Sequence, residues 1–450
     1  MIFESKKGTV HKMRKTGLKS KIAALLSALM LLELLAGCTN HTIEPKDTTA
    51  APSSEEKIYV DVKSENMMAG IESSGGVEKA ADDKFISGAA DFAAGLFEKC
   101  ANGKENCLIS PLSVMLALAM TENGAGGETK SQMESVLAGL ATDELNEYLY
   151  GYLKNLPSGE KFKLNIANSI WIKKDGKFKV SRDFLQKNAD YYGAEAYLSD
   201  FDSETVNDIN SRVSDNTDRM IEKIIDEIDP SAVMFLINAI CFDAEWAVGY
   251  DEDVIREGTF TDINGNAQSA SMMSSSEHKY LKVENGVGFT KQYSGGNYSF
   301  MALLPNEGVE MSDFISSLTG ESLILALKNA EYADVTATVP KFSFEYSGSL
   351  SEILEELGMK DAFDVNTADF SNLGKYENGN LSIGNVIHKT YISLDSVGTR
   401  AGAVTEVGME VTCSSPTKSY TVTLDRPFVF AIIDNNTGLP LFLGVLTSLE

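Results

Sequence analysis

The spacing of apolar residues changes along the chain, from a helical period early to an alternating period later. Between Phe85 and Phe97 apolar residues recur every three or four positions, which predicts an amphipathic helix. A buried second helix is predicted over 110–126, with Ser110 as N-cap and Pro111 in the first turn. Further helices are predicted over 128–140, 142–156, 206–225 and 350–359.

The second half of the chain mostly shows short apolar runs and strict apolar–polar alternation, both typical of strands. The predicted strand segments are 163–174, 231–247, 260–265, 278–286, 288–296, 298–305, 334–346, 387–396 and 419–433, with a closing hairpin around Asn435–Gly438. Helices first and strands later, without regular alternation of the two, predict an α+β fold. We expect no domain boundary after residue 84.

One segment has the pattern of a strand in the position of a loop. Residues 398–416 lie between two predicted strands, and a hairpin loop would normally have two to five residues. Within it, small or apolar residues alternate with mostly charged residues and glycine, as in a half-buried strand. The small or apolar positions are Thr399, Ala401, Ala403, Thr405, Val407, Met409 and Val411. Arg400, Glu406 and Glu410 lie between them.

Charge and cysteine content exclude several classes of function. The 450-residue chain has a net charge of −26, so nucleic acid and anionic lipid headgroups are unfavourable partners. The five cysteines form no CxxC motif and have no metal-like spacing with the four histidines. Cys100 and Cys107 could pair, although two small buried apolar residues are the simpler interpretation. No nucleophile elbow, zinc motif or phosphate-binding loop is present, and we expect no catalytic residues, metal or cofactor.

The amino terminus has the pattern of a bacterial lipoprotein signal. Seven basic residues precede a short apolar run that ends in Leu35-Ala36-Gly37-Cys38, where Cys38 would carry the lipid. A plain secretory signal cut nearby is the alternative. We therefore expect a signal peptide over 1–37, a flexible tether over 38–83 and one domain over 84–450. The domain would lie outside the cell, lipid-anchored to the bacterial envelope or secreted.

From about residue 84 to its end the chain resembles a serpin. Six motifs carry the resemblance: NCLISPLSVMLALAM, INAICFDAEW, VPKFSFEY with LGMKDAF, ADFSNL, HKTYISLDSVGT, and RPFVFAII followed by LPLFLGVL. The resemblance implies helices clustered around three β-sheets, with an exposed reactive loop at about 396–418. It also implies a monomer that traps an extracellular serine protease as an acyl-enzyme, while the cut loop enters the central sheet as a new strand.

The resemblance assigns roles to particular residues. Gly398, Thr399, Ala401, Ala403 and Thr405 would form the hinge of the loop, with the threonines and alanines facing inward. The reactive bond would be Thr412–Cys413, with Val411–Thr412, Cys413–Ser414 and Met409–Glu410 as alternatives. Because Val411, Thr412 and Cys413 are small and uncharged, they suit an elastase-like protease, and the acidic body would favour a cationic one.

Further residues match the structural groups that hold the sheet closed before insertion. Ser110, Ser113, Asn238 and His388 match a hydrogen-bonded group under the central sheet, which we call the shutter. Trp246 matches the tryptophan near the point of loop entry.

The sequence departs from the family pattern at four positions. Arg212 stands where Trp is usual, Arg219 where Gly is usual, and Ser396 and Arg400 where Glu is common. A non-inhibitory serpin is therefore one alternative. A solute-binding lipoprotein with two α/β lobes is another, from a different class.

Overall fold

The structure of the protein is a computed structural model that describes residues 59–61, 66–174, 178–229, 232–377, 379–399 and 418–449. All of these residues belong to one compact unit, Glu56–Glu450. A second unit, Met1–Glu55, lies outside the described residues, as does the predicted lipidation site Cys38. Within the described part of the chain, no helix is both long enough and apolar enough to cross a membrane.

The first two helices each begin at a side chain that caps them. Asp82 accepts hydrogen bonds from the backbone N–H groups of Lys84 and Phe85 at the start of the first helix, and Ser110 caps the second as predicted. The helices are α1 (Asp83–Cys100), α2 (Pro111–Glu122), α3 (Gly127–Val136), α4 (Thr142–Asn155), α5 (Arg182–Tyr192), α6 (Ser203–Asn216), α7 (Met311–Ser317), α8 (Gly320–Lys328) and α9 (Ser351–Glu356). Every residue of α2 is buried, which explains its continuous apolar sequence.

The strands form three sheets, and the α+β prediction is confirmed. The strands are β1 (Tyr59–Asp61), β2 (Cys107–Ile109), β3 (Phe162–Lys173), β4 (Lys179–Ser181), β5 (Glu195–Ser199), β6 (Met234–Glu245), β7 (Arg256–Thr261), β8 (Ala267–Val283), β9 (Gly286–Gln292), β10 (Tyr298–Pro305), β11 (Glu331–Pro340), β12 (Phe342–Ser349), β13 (Gly374–Lys375), β14 (Asn385–Leu394), β15 (Gly398–Thr399), β16 (Ser419–Thr423), β17 (Phe428–Asp434) and β18 (Pro440–Leu446). A six-stranded sheet has the order β12-β14-β15-β6-β3-β5. A nine-stranded sheet runs β16-β11-β8-β9-β10-β17-β18-β2 with β7 on β8, and a small sheet has the order β1-β4-β13.

The six-stranded sheet is covered on both faces. Alternate residues of β6, such as Leu236 and Ile240, join the main core, which contains α2. The residues between them, such as Phe235 and Ile237, join a second core that contains Ile209 of α6. A strand that is buried on both faces must be almost entirely apolar, as β6 is. A strand added between β14 and β6 would therefore bury the side chains that face the main core.

The helix predicted over 206–225 is wrong in its second half, because α6 ends at Asn216. Asp218 and Arg219 take left-handed backbone angles, with φ of 49° and 62°, which a continuing helix does not allow. The following turn folds back on α6, where the Asn210 side chain accepts hydrogen bonds from the backbone N–H groups of Ile224 and Ile225. Both isoleucines are buried in the second core, so tertiary packing overrides the helical spacing.

Part of the predicted tether makes defined contacts with the domain. β1 pairs with β4, and Asn66 forms a β-bridge with Tyr197 of β5, the outermost strand of the six-stranded sheet. The Met67 N–H donates to the Ala196 carbonyl at 2.9 Å, and its side chain is 5% exposed. These contacts extend the ordered structure upstream of residue 84, where apolar periodicity gave no indication of a fold.

In the described part of the chain, Cys100 and Cys107 are not joined by a disulfide bond. Cys107 and Cys241 are buried and Cys100 is half-buried. The structure therefore agrees with the interpretation of Cys100 and Cys107 as small apolar residues and forms no bond between them.

Candidate functional site

The hinge segment enters the top of the six-stranded sheet as a two-residue strand, β15, which we call the wedge. It lies between β14 and β6, with Thr399 opposite Leu394 on one side and Ala244 on the other. Thr399 is 2% exposed, on the inward face that the alternation predicts. Its hydroxyl is hydrogen-bonded to the Tyr293 hydroxyl at 2.5 Å.

Gly398 is required by the closeness of the neighbouring strand. A Cβ atom at this position would lie 2.0 Å from the Ala244 carbonyl oxygen, well inside van der Waals contact. The first residue of the wedge therefore passes next to the β6 backbone with no room for a side chain.

Below the wedge the sheet is closed. β14 and β6 pair directly and in parallel, from Asn385 opposite Phe235 to Thr390 opposite Ile240. Above this point the two strands separate and β15 fills the opening. The geometry is that of a sheet that is partly opened at one end, where the two residues of the wedge lie between β14 and β6.

A row of polar side chains crosses the closed part of the sheet. His388 of β14 and Asn168 of β3 both pair with Asn238 of β6, so the three residues lie side by side on three adjacent strands. The Asn238 amide donates to the Asn168 Oδ1 at 2.7 Å and to the Ser113 hydroxyl at 2.5 Å. The Ser110 N–H donates to the His388 Nε2 at 3.0 Å. The four predicted shutter residues are therefore brought together, and α2 and its N-cap supply the two serines.

The shutter fixes the protonation state of His388. Because Nε2 accepts from the backbone, Nδ1 carries the proton and donates it to the Asn238 Oδ1. Complete burial lowers the pKa of His388 to about 3, since a charged imidazolium would lose its hydration there. At neutral pH the row is thus an uncharged hydrogen-bonded network across β3, β6 and β14.

Asn168 completes this network, and the sequence did not reveal it. Its Nδ2 donates to the Ser113 carbonyl oxygen at 3.1 Å, in addition to its bond with Asn238. The only signal in the sequence is a polar residue within the apolar strand 163–174. Its role depends on the register of β3 against β6, which one sequence cannot provide.

A set of backbone and indole contacts, which we call the clasp, holds the segment that precedes the wedge. The Trp246 N–H donates to the Val397 carbonyl at 2.8 Å, and its indole Nε1–H donates to the Asp395 carbonyl at 2.9 Å. The Tyr250 N–H donates to the Ser396 carbonyl at 2.9 Å. Trp246 therefore lies directly beside residues 395–397, which precede the wedge.

The substitution at Ser396 has a local partner. Its hydroxyl donates to the Glu252 Oε1 at 2.6 Å, and the same oxygen lies 3.7 Å from the Lys341 Nζ. A carboxylate from a neighbouring segment thus lies beside the position where the family commonly has Glu. Ser396 itself is 6% exposed.

The chain is also held where it re-enters the domain after the loop. β16 pairs in parallel with β11, and Tyr420 stacks on Tyr280 with ring centroids 3.8 Å apart. Glu331 of β11 forms ion pairs with Lys418 at 2.6 Å and Lys282 at 3.1 Å. Hydrogen bonds from these two lysines lower the pKa of Glu331 to about 2.

The remaining predicted site residues lie outside the described part of the chain. These are the hinge positions Ala401, Ala403 and Thr405 and the reactive-bond candidates Met409, Val411, Thr412, Cys413 and Ser414, together with Arg400. Their roles stay predictions.

A comparison with protein families decides what kind of molecule carries this geometry. The family model described as "Serpin (serine protease inhibitor)" matches residues 87–449. The chain belongs to the serpin family. A two-lobed solute-binding lipoprotein is therefore excluded as the fold.

Known serpins resemble this one over almost their whole length. A serpin-like protein of the archaeon Thermococcus kodakarensis is 29% identical over 432 residues, which cover 93% of this serpin and 97% of the relative. The crystal structure of the thermophilic serpin tengpin in its native state has a TM-score of 0.81 at 50% identity, covering 85% of this chain and 99% of tengpin. The crystal structure of tengpin in its latent state has a lower TM-score of 0.74 at 48% identity, and the match covers 83% of this chain and 100% of the tengpin chain.

Two of the three arginine departures, Arg212 and Arg219, lie in the described part of this serpin. The Arg212 guanidinium lies 4.1 Å from the centre of the Tyr197 ring, which in turn stacks on Trp171. Arg212 thus caps an aromatic stack on the second core. Arg219 has the left-handed backbone angle that glycine adopts most easily, so this substitution places strain in the turn after α6.

Proposed function

We propose that this serpin is an inhibitory one, which traps an extracellular serine protease by inserting its cleaved loop between β14 and β6. The observation that carries the proposal is the wedge, in which Thr399 already pairs with both strands and Gly398 with β6 at the top of the opening. The inward position of Thr399 sets the register for the rest of the loop. Ala401, Ala403 and Thr405 would follow on the same face, and all are small enough for a packed sheet.

The proposed chemistry follows from the reactive bond. The serine of the protease attacks the Thr412 carbonyl, Cys413 leaves as a new amino terminus, and the acyl bond to Thr412 persists. Insertion then carries the attached protease away from its starting position before water can hydrolyse the ester. Small uncharged residues around this bond favour an elastase-like protease. Without residues 1–37 the net charge would be −31, so a cationic protease would be attracted at long range.

The test is incubation with elastase-like and trypsin-like proteases, followed by denaturing electrophoresis and mass spectrometry of the released peptide. We expect an SDS-resistant complex with an elastase-like enzyme and a peptide that begins at Cys413. Cleaved serpin with free, active enzyme for every protease would contradict the proposal.

Thr399→Arg should convert the inhibitor into a substrate. An inward guanidinium at a position that is 2% exposed cannot be buried without a partner, so insertion would stall while the ester is hydrolysed. The measurement is the number of moles of serpin consumed for each mole of protease inactivated, which should rise at least tenfold. Thr259→Arg, at an exposed position of β7, is the matched control and should leave this ratio unchanged. Full inhibition by Thr399→Arg would refute the inward register of the loop.

We further propose that Cys38 is lipidated and anchors the serpin on the outer side of a bacterial membrane. The signal pattern of residues 1–38 and the segment that follows it support this location. In cells that express the full chain, the protein should sediment with membranes and incorporate labelled fatty acid. Cys38→Ala should abolish the label, and a wild-type protein without label would leave the plain secretory signal as the explanation.

A further inference from the structure

A lysine is buried directly beneath the clasp. Lys291 of β9 is only 3% exposed, and its Nζ lies 3.0 Å from the Glu277 Oε1 of β8. The same carboxylate oxygen accepts a hydrogen bond from the Ser275 hydroxyl at 2.7 Å. Lysine is rarely buried to this extent, so its presence at this position needs an explanation.

The ammonium group faces the two aromatic residues of the clasp. It lies 4.3 Å from the centre of the Tyr250 ring and 5.4 Å from the centre of the Trp246 ring. Both distances are within the range of cation–π attraction, which strengthens when the cation is removed from water. Another neighbour of Trp246 is Tyr293, whose ring stacks on the indole with ring centroids 4.5 Å apart and an interplanar angle of 9°.

The same segment connects the lysine to the hinge through the backbone. Trp246 forms a β-bridge with Tyr293, and the Ala247 N–H donates to the Gln292 carbonyl, so residues 246–247 extend the end of β9. The opposite side of this segment holds residues 395–397. Lys291 thus lies on one side of a single layer of chain, and the start of the loop lies on the other.

Stability alone does not account for the Glu277–Lys291 pair. Burying two charges has a large desolvation cost in general, and apolar residues of the same size often serve a fold equally well. What an apolar residue could not do is attract two ring faces toward one fixed point. The charge therefore orients the rings of Trp246 and Tyr250, whose backbone and indole groups hold the hinge.

We propose that Lys291 is a positioning residue for loop entry, which holds Trp246 and Tyr250 in the clasp and so keeps the segment that precedes the wedge in place until the loop is cut. The inference deepens the proposed function and rests on it. Removal of the charge should loosen the clasp in the uncut protein and let the loop insert without a protease.

The first experiment measures the clasp itself and needs no protease. The chain has two tryptophans, so a Trp171→Phe background leaves Trp246 as the sole indole fluorophore. In that background we compare Lys291→Met/Glu277→Gln, which removes both charges at once, with Lys279→Met/Glu284→Gln at two exposed positions. Acrylamide quenching of Trp246 should increase severalfold in the first pair and stay at the wild-type value in the second. Unchanged quenching in Lys291→Met/Glu277→Gln would overturn the proposal.

The second experiment measures how fast the uncut protein loses its inhibitory capacity. Each protein is incubated at 37 °C without protease, and the remaining capacity to form the SDS-resistant complex is followed with time. Lys291→Met/Glu277→Gln should lose this capacity about tenfold faster than the wild type, and the control pair should not. Increased acrylamide quenching of Trp246 together with an unchanged rate of loss of inhibitory capacity would refute the role of Lys291 in loop entry. If the double variant does not fold, Glu277→Gln alone keeps the shape of the site and should show the same changes in smaller degree, and no change would again refute the role.

The two experiments separate this inference from the proposed function. A wild-type protein that forms no complex with any protease would refute inhibition, and the quenching comparison would still decide whether Lys291 orders Trp246.

Discussion

Glu122 is the last residue of α2, and its carboxyl group is 1% exposed, with no cation in ion-pair contact among the described residues. Its Oε1 lies 2.8 Å from the Thr142 hydroxyl, and the Glu134 Oε1 lies 2.9 Å from the same hydroxyl. Thr142 has one proton for these two acceptors, so the network is complete only when Glu122 carries a proton of its own. The negative end of the helix dipole also disfavours a charge at this position.

The carboxyl of Glu122 therefore makes stability depend on pH. Burial is the main reason why the pKa of Glu122 rises from 4.5 to about 8, and the nearby charges of Glu134 and Asp143 add to it, against Lys130. Its contribution to stability is fully present below pH 4.5 and is lost as the pH rises toward 8, at up to about 1.4 kcal/mol per pH unit.

Glu122→Gln should remove this dependence. The amide mimics the protonated acid, so the variant should gain stability relative to the wild type between pH 5 and pH 9, by a few kcal/mol at most. The measurement is the urea midpoint at pH 5, 7 and 9. Glu128→Gln, at an exposed position in the first turn of α3, is the control and should shift in parallel with the wild type. Parallel curves for Glu122→Gln would show that Glu122 is ionised in the folded protein.

At the scale of elements, the sequence predicts helices and strands best where a capping residue or a continuous apolar run marks them. Ser110 and Pro111 begin α2 as predicted, and the apolar run of β6 is a strand buried on both faces. The pattern gave no prediction for α5, α7 and α8. Register remained hidden, because Asn168 meets Asn238 only through the pairing of β3 with β6.

The same limit applied to residues whose role depends on three-dimensional contacts. Lys291 lies in a predicted strand, yet nothing in the sequence separates it from a surface lysine. Its burial follows from segment 246–250, which adds to the end of β9. The family resemblance found the shutter and Trp246, but neither Asn168 nor Lys291.

Removal of the Asn168 side chain, at one end of the polar row across β3, β6 and β14, should lower the free energy of unfolding. Asn168→Ala leaves donor groups of Asn238 and Ser113 with fewer partners inside the sheet, at an expected cost of about 1–3 kcal/mol in unfolding free energy. Asn165→Ala is a matched control on the same strand, since the Asn165 amide bonds Asp218 at an exposed position and should cost less than about 1 kcal/mol. Equal effects in denaturant unfolding would show that the row does not hold the sheet closed.

At the scale of the whole molecule, the proposed mechanism adds one full strand between β14 and β6 after cleavage, and the uncut protein lacks this strand. The sheet is closed from residue 385 to residue 390, and β15 fills two positions above. A strand inserted along the full length would bury its small residues on the face of the main core and satisfy its backbone groups. The uncut fold would then lie above its minimum of free energy.

Cleavage should therefore raise heat stability. Roughly a dozen new backbone hydrogen bonds at about 1 kcal/mol each net, at about 2 °C per kcal/mol for a domain of this size, predict a rise of about 20 °C or more in the unfolding midpoint. Scanning calorimetry of intact and loop-cleaved protein measures it. Cleaved Thr399→Arg should gain much less, and an unchanged midpoint in the cleaved wild type would argue for a non-inhibitory serpin.

The last three strands have a consequence for the fate of the two fragments. β17 and β18 are buried at every residue inside the nine-stranded sheet, and β16 is fastened to β11. A cut at Thr412 would thus leave a short carboxyl-terminal peptide that dissociates only when the whole body is denatured. In the proposed mechanism, the captured enzyme is bonded to the amino-terminal fragment, which carries Cys38. If Cys38 carries a lipid, the covalent complex with the protease would stay at the cell surface and would not be released to the medium.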